Sequence, residues 1–193
     1  MKSNDHPVSY KWDYSKTVPI SETINAPDSL TAYTSFEADG KGAWTYTGTV
    51  SSDNTAPTGV KRYTLTSNNI TKSSIPNRTY IVSYWSKDGA YTVNSGEPTL
   101  IGRSANGWTY YEHEVTGTSI TISGSGYIDE VRLYPKGALM TTYAYQSLIG
   151  ITSQCDANNR IIYYEYDDFG RLLLVRDQNK NILKKFSYNY SGQ

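Results

Sequence analysis

Tyr164-Glu165-Tyr166-Asp167-Asp168-Phe169-Gly170-Arg171-Leu172 is the stretch from which the fold is read. In an extended chain alternate residues share a face, so Tyr164 and Tyr166 put two rings on one side of a strand. The pair is not isolated. Tyr143-Ala144-Tyr145 precedes it by 21 residues (143 to 164), and Asp156 precedes Asp177 by the same 21 (156 to 177). Phe186-Ser187-Tyr188 continues the series with one residue more. A fixed period near 20 with paired aromatics is the pattern of repeated hairpins, each too small to bury its rings without a neighbour. Asp156-Ala157-Asn158-Asn159 and Asp177-Gln178-Asn179-Lys180-Asn181 supply the turns, since Asp and Asn bond their own backbone and tolerate left-handed conformations. The spacing predicts antiparallel hairpins over 140–190, with turns near 157–159 and 179–181.

Upstream, the punctuation is that of a β-sandwich. Strand-like runs are predicted at 31–37, 43–50, 60–66, 79–86, 108–115, 119–123 and 127–134. Asp39-Gly40, Pro57-Thr58-Gly59, Asp88-Gly89, Asn94-Ser95-Gly96, Asn106-Gly107 and Gly124-Ser125-Gly126 separate them. Tyrosine stands at 19 residues and methionine at 2, a bias toward side chains that suit a pleated, half-buried surface. No long run has a 3.6-residue apolar period, so few or no helices are expected. Pro135-Lys136-Gly137 divides the sandwich from the tail, and residues 1–29, with Pro7, Pro19 and Pro27, read as a lead-in with at most two short strands. The expected organisation is therefore a lead-in over 1–29, a sandwich over 30–136 and hairpins over 137–193.

The tail motif resembles the YD repeat of Rhs-type and teneurin-type proteins. Its earlier copy is degenerate, with Gln146 where the Asp is expected and Ile149-Gly150-Ile151 in place of Gly-Arg-Leu. The resemblance implies a structural shell or spiral of hairpins with no catalytic residues, and further YD repeats of a parent polypeptide as partners. Residues 10–26 are similar to the segment that precedes sandwiches in large bacterial Rhs-like surface proteins. That implies a chain cut from a longer extracellular or cell-surface protein. The middle third resembles the galactose-binding-like jelly roll of carbohydrate-binding modules. The residues that carry this are Ser35-Phe36-Glu37, Gly42-Ala43-Trp44, 80–85, 108–112 and 126–134.

Several function classes recede on composition. Eighteen basic residues balance eighteen acidic ones with no cluster of Lys or Arg, which argues against a nucleic-acid binder. No run is apolar enough for a membrane span. The single cysteine, Cys155, excludes an internal disulfide, and nothing beside it in sequence would activate a thiolate. Glu112-His113-Glu114 places two carboxylates on one strand face, but a working pair flanks its substrate from two elements. No phosphate-cradling glycine loop or nucleophile elbow is present.

Two sets of residues remain. Trp44, Tyr46, Trp85, Tyr91 and Trp108 are candidate stacking rings for a glycan, with Arg103 among the polar groups that would fix its orientation; the competing reading makes the tryptophans core. Asp129 lies in an apolar strand and needs a partner. The jelly-roll resemblance implies a structural Ca2+ held by Asp129 and Glu37, with backbone oxygens completing the shell. The alternative is a hydrogen bond from backbone amides or a tyrosine hydroxyl. The sequence thus predicts an all-β, non-catalytic chain, a glycan-binding module or a ligand-free spacer.

Overall fold

The computed structural model describes residues 7–66 and 70–189. Strands β1 (Val8–Asp13) and β2 (Val18–Ile24) form a hairpin, followed by a single 3-10 turn, Asp28–Leu30. The central region carries β3 (Ala32–Thr34), β4 (Thr49–Ser52), β5 (Lys61–Leu65), β6 (Ile70–Lys72), β7 (Arg78–Ser86) and β8 (Thr92–Val93). It continues with β9 (Leu100–Ala105), β10 (Trp108–Gly117), β11 (Ile120–Ser123) and β12 (Gly126–Pro135). The tail holds β13 (Leu139–Gln146), β14 (Gly150–Cys155), β15 (Ile161–Tyr166), β16 (Leu172–Asp177) and β17 (Ile182–Lys185).

These strands make three antiparallel sheets. The middle one runs β4-β5-β12-β7-β10-β9, with β3 sharing an edge of β12. A three-stranded sheet, β6-β11-β8, covers one face. Between them lies a core that includes Tyr63, Leu65, Tyr80, Val82, Tyr84, Ile120, Ile122, Ile128, Val131 and Leu133. A seven-stranded sheet, β1-β2-β13-β14-β15-β16-β17, covers the other face. There, Ile20, Tyr33, Tyr134 and Met140 form one cluster and Trp85, Trp108, Tyr110, Cys155 and Ile161 another. The lead-in hairpin belongs to this third layer, because β2 pairs with β13 from Ile24↔Leu139 to Ser21↔Thr142.

The tail is a chain of hairpins, as the repeat predicts, and its turns share one design. At Asp156, Asp167 and Asp177, Oδ1 accepts the backbone N–H groups two and four residues on. The Asp N–H donates to the carbonyl four residues on, and its own carbonyl accepts from the third. That third residue is left-handed each time: Asn159 (φ 59°), Gly170 (φ 73°) and Lys180 (φ 66°). A carboxylate that caps two amides replaces the strand ladder where the chain reverses. The Asp167 turn lies inside the opening motif, so turns recur at half the period that the tyrosines announce.

The sandwich differs from expectation in two places. The strand expected over 43–50 is mostly loop. Gly42 (φ 55°) and Ala43 (φ 71°) are left-handed, the Trp44 N–H turns back to the Lys41 carbonyl, Thr45 makes an isolated bridge to Thr71, and regular pairing starts only at Thr49. In β12 the register breaks between Asp129 and Arg132, with Glu130 left-handed at φ 54°. This bulge shifts the alternation by one. Ile128, Val131 and Leu133 therefore share the inner core, and Asp129 does not share the face of Val131 and Leu133 as simple alternation requires.

Candidate functional site

The five candidate rings do not form an exposed platform. Their exposure runs from 0% for Trp108 to 8% for Tyr46. Trp44, Tyr46 and Tyr91 belong to the inner core. The Trp44 indole donates to the Val131 carbonyl, the Tyr46 ring meets Phe36 and Tyr63 edge-on, and Tyr91 stacks on Tyr84. Trp85 and Trp108 lie on the opposite face of the middle sheet, under the tail. The Trp85 indole donates to Asn159 Oδ1 at 3.3 Å, and that of Trp108 to Thr55 Oγ1 at 3.2 Å. Arg103, half-buried, points its guanidinium at the Asn158 carbonyl. The face that carries Trp85 and Trp108 is thus the seam between two layers. The described tryptophan that reaches solvent is Trp12, 54% exposed beside Tyr10 on β1.

Asp129 and Glu37 are each held by backbone amides. Asp129 Oδ1 accepts from the Glu130 N–H and Oδ2 from the Thr58 N–H, with the Thr58 hydroxyl 3.3 Å from Oδ2. Glu37 Oε1 accepts from the N–H groups of Val60 and Lys61. Among the described residues no group of three or more His, Cys, Asp or Glu is placed to hold a metal ion. The buried carboxylate of Asp129 thus has backbone amide partners. His113 is packed, stacked on Tyr84 with Nε2 3.1 Å from its hydroxyl, and burial pushes it down to about 4.

Sequence reasoning overlooked the polar node at the seam. Arg132, 2% exposed, pairs with Glu130, 1% exposed, at 2.8 Å. Its guanidinium also donates to the carbonyls of Met140, Cys155 and Asp156 and to Thr142 Oγ1. Glu130 accepts in addition from the hydroxyls of Tyr33, Thr58 and Thr142. One side chain of the middle sheet thus grips both β13 and the end of β14. The signal was available: Asp129, Glu130 and Arg132 put three ionisable groups into four residues of an otherwise apolar strand.

Thr58 has one hydroxyl proton and faces two carboxylates, Glu130 Oε2 at 2.8 Å and Asp129 Oδ2 at 3.3 Å. Both bonds form if Asp129 is protonated and donates to Thr58, which then donates to Glu130. Burial, followed by the charge of Glu130, holds the Asp129 carboxyl well above the usual carboxylate range, in keeping with that proton. Burial likewise pushes the Cys155 thiol up to about 12, although Arg132 opposes it.

Between the β1–β2 turn, the end of β13 and the loops of the sandwich lies a cleft of about 610 Å3. Tyr14, Glu37, Asp39, Lys61, Tyr145 and Gln146 are among its walls. It adjoins a narrower hollow of about 230 Å3 that reaches Gly59, Thr152 and Tyr163. The three tyrosine hydroxyls are tied back, Tyr14 to the Tyr145 carbonyl, Tyr145 to that of Pro19 and Tyr163 to that of Pro57. Burial pushes the Tyr14 hydroxyl up to about 12 against its bond to Tyr145, and Glu37, Asp13 and Asp39 add to the rise. Neither a protein-family model nor a curated protein matches this sequence.

Proposed function

We propose that this chain is a non-catalytic structural module, a β-sandwich bolted to a sheet of YD-type hairpins within a bacterial surface or secreted protein. One observation carries this reading: the middle sheet is buried on both faces, and its second face meets the hairpin sheet. Rings that would serve a glycan from an open sandwich serve packing instead. Three carboxylate-capped turns in succession support the comparison of the tail with YD repeats, whose task is to propagate a sheet. Glycan binding, the leading expectation from sequence, loses its platform with the burial of Trp44, Tyr46, Trp85, Tyr91 and Trp108.

Equilibrium unfolding of the whole chain tests the reading. Tryptophan fluorescence follows Trp44 in the inner core and Trp85 and Trp108 at the seam, while thiol labelling follows Cys155. A single structural unit gives coincident transitions. Separate transitions would show that the sandwich and hairpins fold independently and would remove the bolt from the argument. A glycan array on the same protein is expected to stay blank.

A further inference from the structure

The cleft at the seam has the makings of a binding site that packing does not require. Its volume of about 610 Å3 falls in the range of small-molecule pockets, and it sits between two layers, where such pockets occur. Its polar lining is directional. Glu37 is anchored through Oε1 alone, and no hydrogen bond among the described residues reaches Oε2. Gly59 makes room for that arrangement, since a Cβ there would lie 2.4 Å from the Glu37 carboxyl carbon. Asp39 adds a second, exposed carboxylate. Lys61 is the one ammonium of the wall, and it donates to the Glu37 carbonyl. The ionisable lining is therefore two carboxylates against one cation.

The aromatic lining points the same way. The hydroxyls of Tyr14 and Tyr145 are engaged by backbone and the two rings pack edge to face, 5.6 Å between centroids, so the ring surface left on the cleft wall is what a ligand meets. Elsewhere in the molecule rings carry a cation on their face: Arg62 over Tyr127, Lys180 over Tyr163, Arg171 over Tyr188. Among the described residues no Lys or Arg is placed so over Tyr14 or Tyr145. A ring face beside unbalanced carboxylates attracts a cation and repels an anion. Leu148, fully exposed on the rim, offers an alkyl chain an apolar contact.

We propose that this cleft binds an alkylammonium group, with the charged end between Glu37 and Asp39 and the methylenes against Tyr14 and Tyr145. The natural source is a lysine side chain on a partner protein or a free diamine. The proposal adds a ligand to the scaffold and does not depend on the YD comparison, so either can fail alone.

Amide NMR of the whole protein reads the site directly, because the Val60 and Lys61 N–H groups bond Glu37. Titrations with Nα-acetyl-lysine amide and with cadaverine should shift those two amides saturably. Tighter binding of the first assigns a side chain, of the second a diamine. Pentanoate should not bind. E37Q keeps the anchoring Oε1 and D39K changes an exposed residue, so both should retain the parent melting temperature; each should weaken amine binding at least tenfold. Equal binding of 1,5-pentanediol, amine affinity unchanged in both variants, or no saturable shift with either amine would overturn the proposal.

Discussion

Replacing Arg132 with Met is the sharpest test of how the layers are joined. Met keeps an unbranched, apolar stem and removes the guanidinium with its charge. The substitution leaves Glu130, 1% exposed, as a buried carboxylate without its ion pair, and withdraws donors from the carbonyls of Met140, Cys155 and Asp156. Removing one partner of a buried pair costs about 3–5 kcal/mol, most of it the penalty of the charge left behind. Cys155 reports the result, since its thiol is fully buried in the seam and 3.3 Å from Asn159 Oδ1. Where reclosing outpaces labelling, the rate follows the population of the open form. A loss of that size makes a disulfide reagent label Cys155 roughly 10²- to 10⁴-fold faster. Urea unfolding should give the same free-energy difference. The double variant E130Q/R132M should recover part of the loss, because it removes the stranded charge as well. If R132M lies within about 1 kcal/mol of the parent and labels less than tenfold faster, the node does not hold the seam.

Asp129→Asn must set an amide nitrogen against one of the two backbone N–H groups that the carboxyl accepts, and should lose about 1–3 kcal/mol at low pH. The folded pKa of Asp129 is raised, so its stabilising contribution is complete below the ordinary carboxylate range near 3.8 and falls as pH rises through the folded value. The deficit of the variant in urea titrations should therefore shrink with rising pH, and a deficit that grows would refute the protonated assignment. Asp53 works in the opposite sense: burial raises it, but Lys87 and Thr55 bring it to about 2, so the stability it lends above 3.8 is lost as pH falls toward 2. Gly42→Ala puts a Cβ 1.5 Å from the Tyr33 carbonyl oxygen and should exceed about 4 kcal/mol in thermal unfolding, whereas Gly137→Ala, also left-handed but with nothing within 4 Å, should lose about 1 kcal/mol. Trp85→Ala empties the seam and should destabilise by about 3–5 kcal/mol, with labelling of Cys155 accelerated as in R132M; near-parental stability would mean that Trp85 is not buried as described.

The all-β class and most strand positions were legible because their causes are local. Alternation, turn residues and the Tyr-x-Tyr recurrence act within a hairpin, and the runs over 60–66, 79–86, 108–115 and 127–134 coincide closely with β5, β7, β10 and β12. The short β6, β8 and β9 were not foreseen; two of them are the edges of the small sheet and β9 is the edge of the middle one. The third layer was written in the sequence but misread. Tyr80, Ile81, Val82, Tyr84 and Trp85 are apolar at both parities, which is how a strand reads when both its faces are buried. A two-layer sandwich would leave Ile81 and Trp85 facing water. Taking Trp85 as a possible ligand contact followed from counting two layers where the chain builds three.

What covers that face depends on pairing between β2 and β13, which lie more than a hundred residues apart in sequence. No local pattern records such a pairing, because the hydrophobic alternation of a strand fixes which face is buried and not which strand lies beside it. The cleft shares this origin. Its walls come from the β1–β2 turn at Tyr14, the segment at Glu37 and Asp39, the start of β5 at Lys61, and the end of β13 at Tyr145 and Gln146. Tyr145 and Gln146 belong to the 21-residue recurrence, which marks a hairpin and not a cleft, and Glu37 was singled out for a different reason, as a partner of Asp129. Meeting at one place gives them a common role: two carboxylates gain a shared direction only when the hairpin layer closes over the loops that carry them. The same closure that removes Trp85 and Trp108 from solvent sets Tyr14 and Tyr145 in the wall of the cleft, so the loss of the expected ring platform and the presence of the cleft have one structural origin.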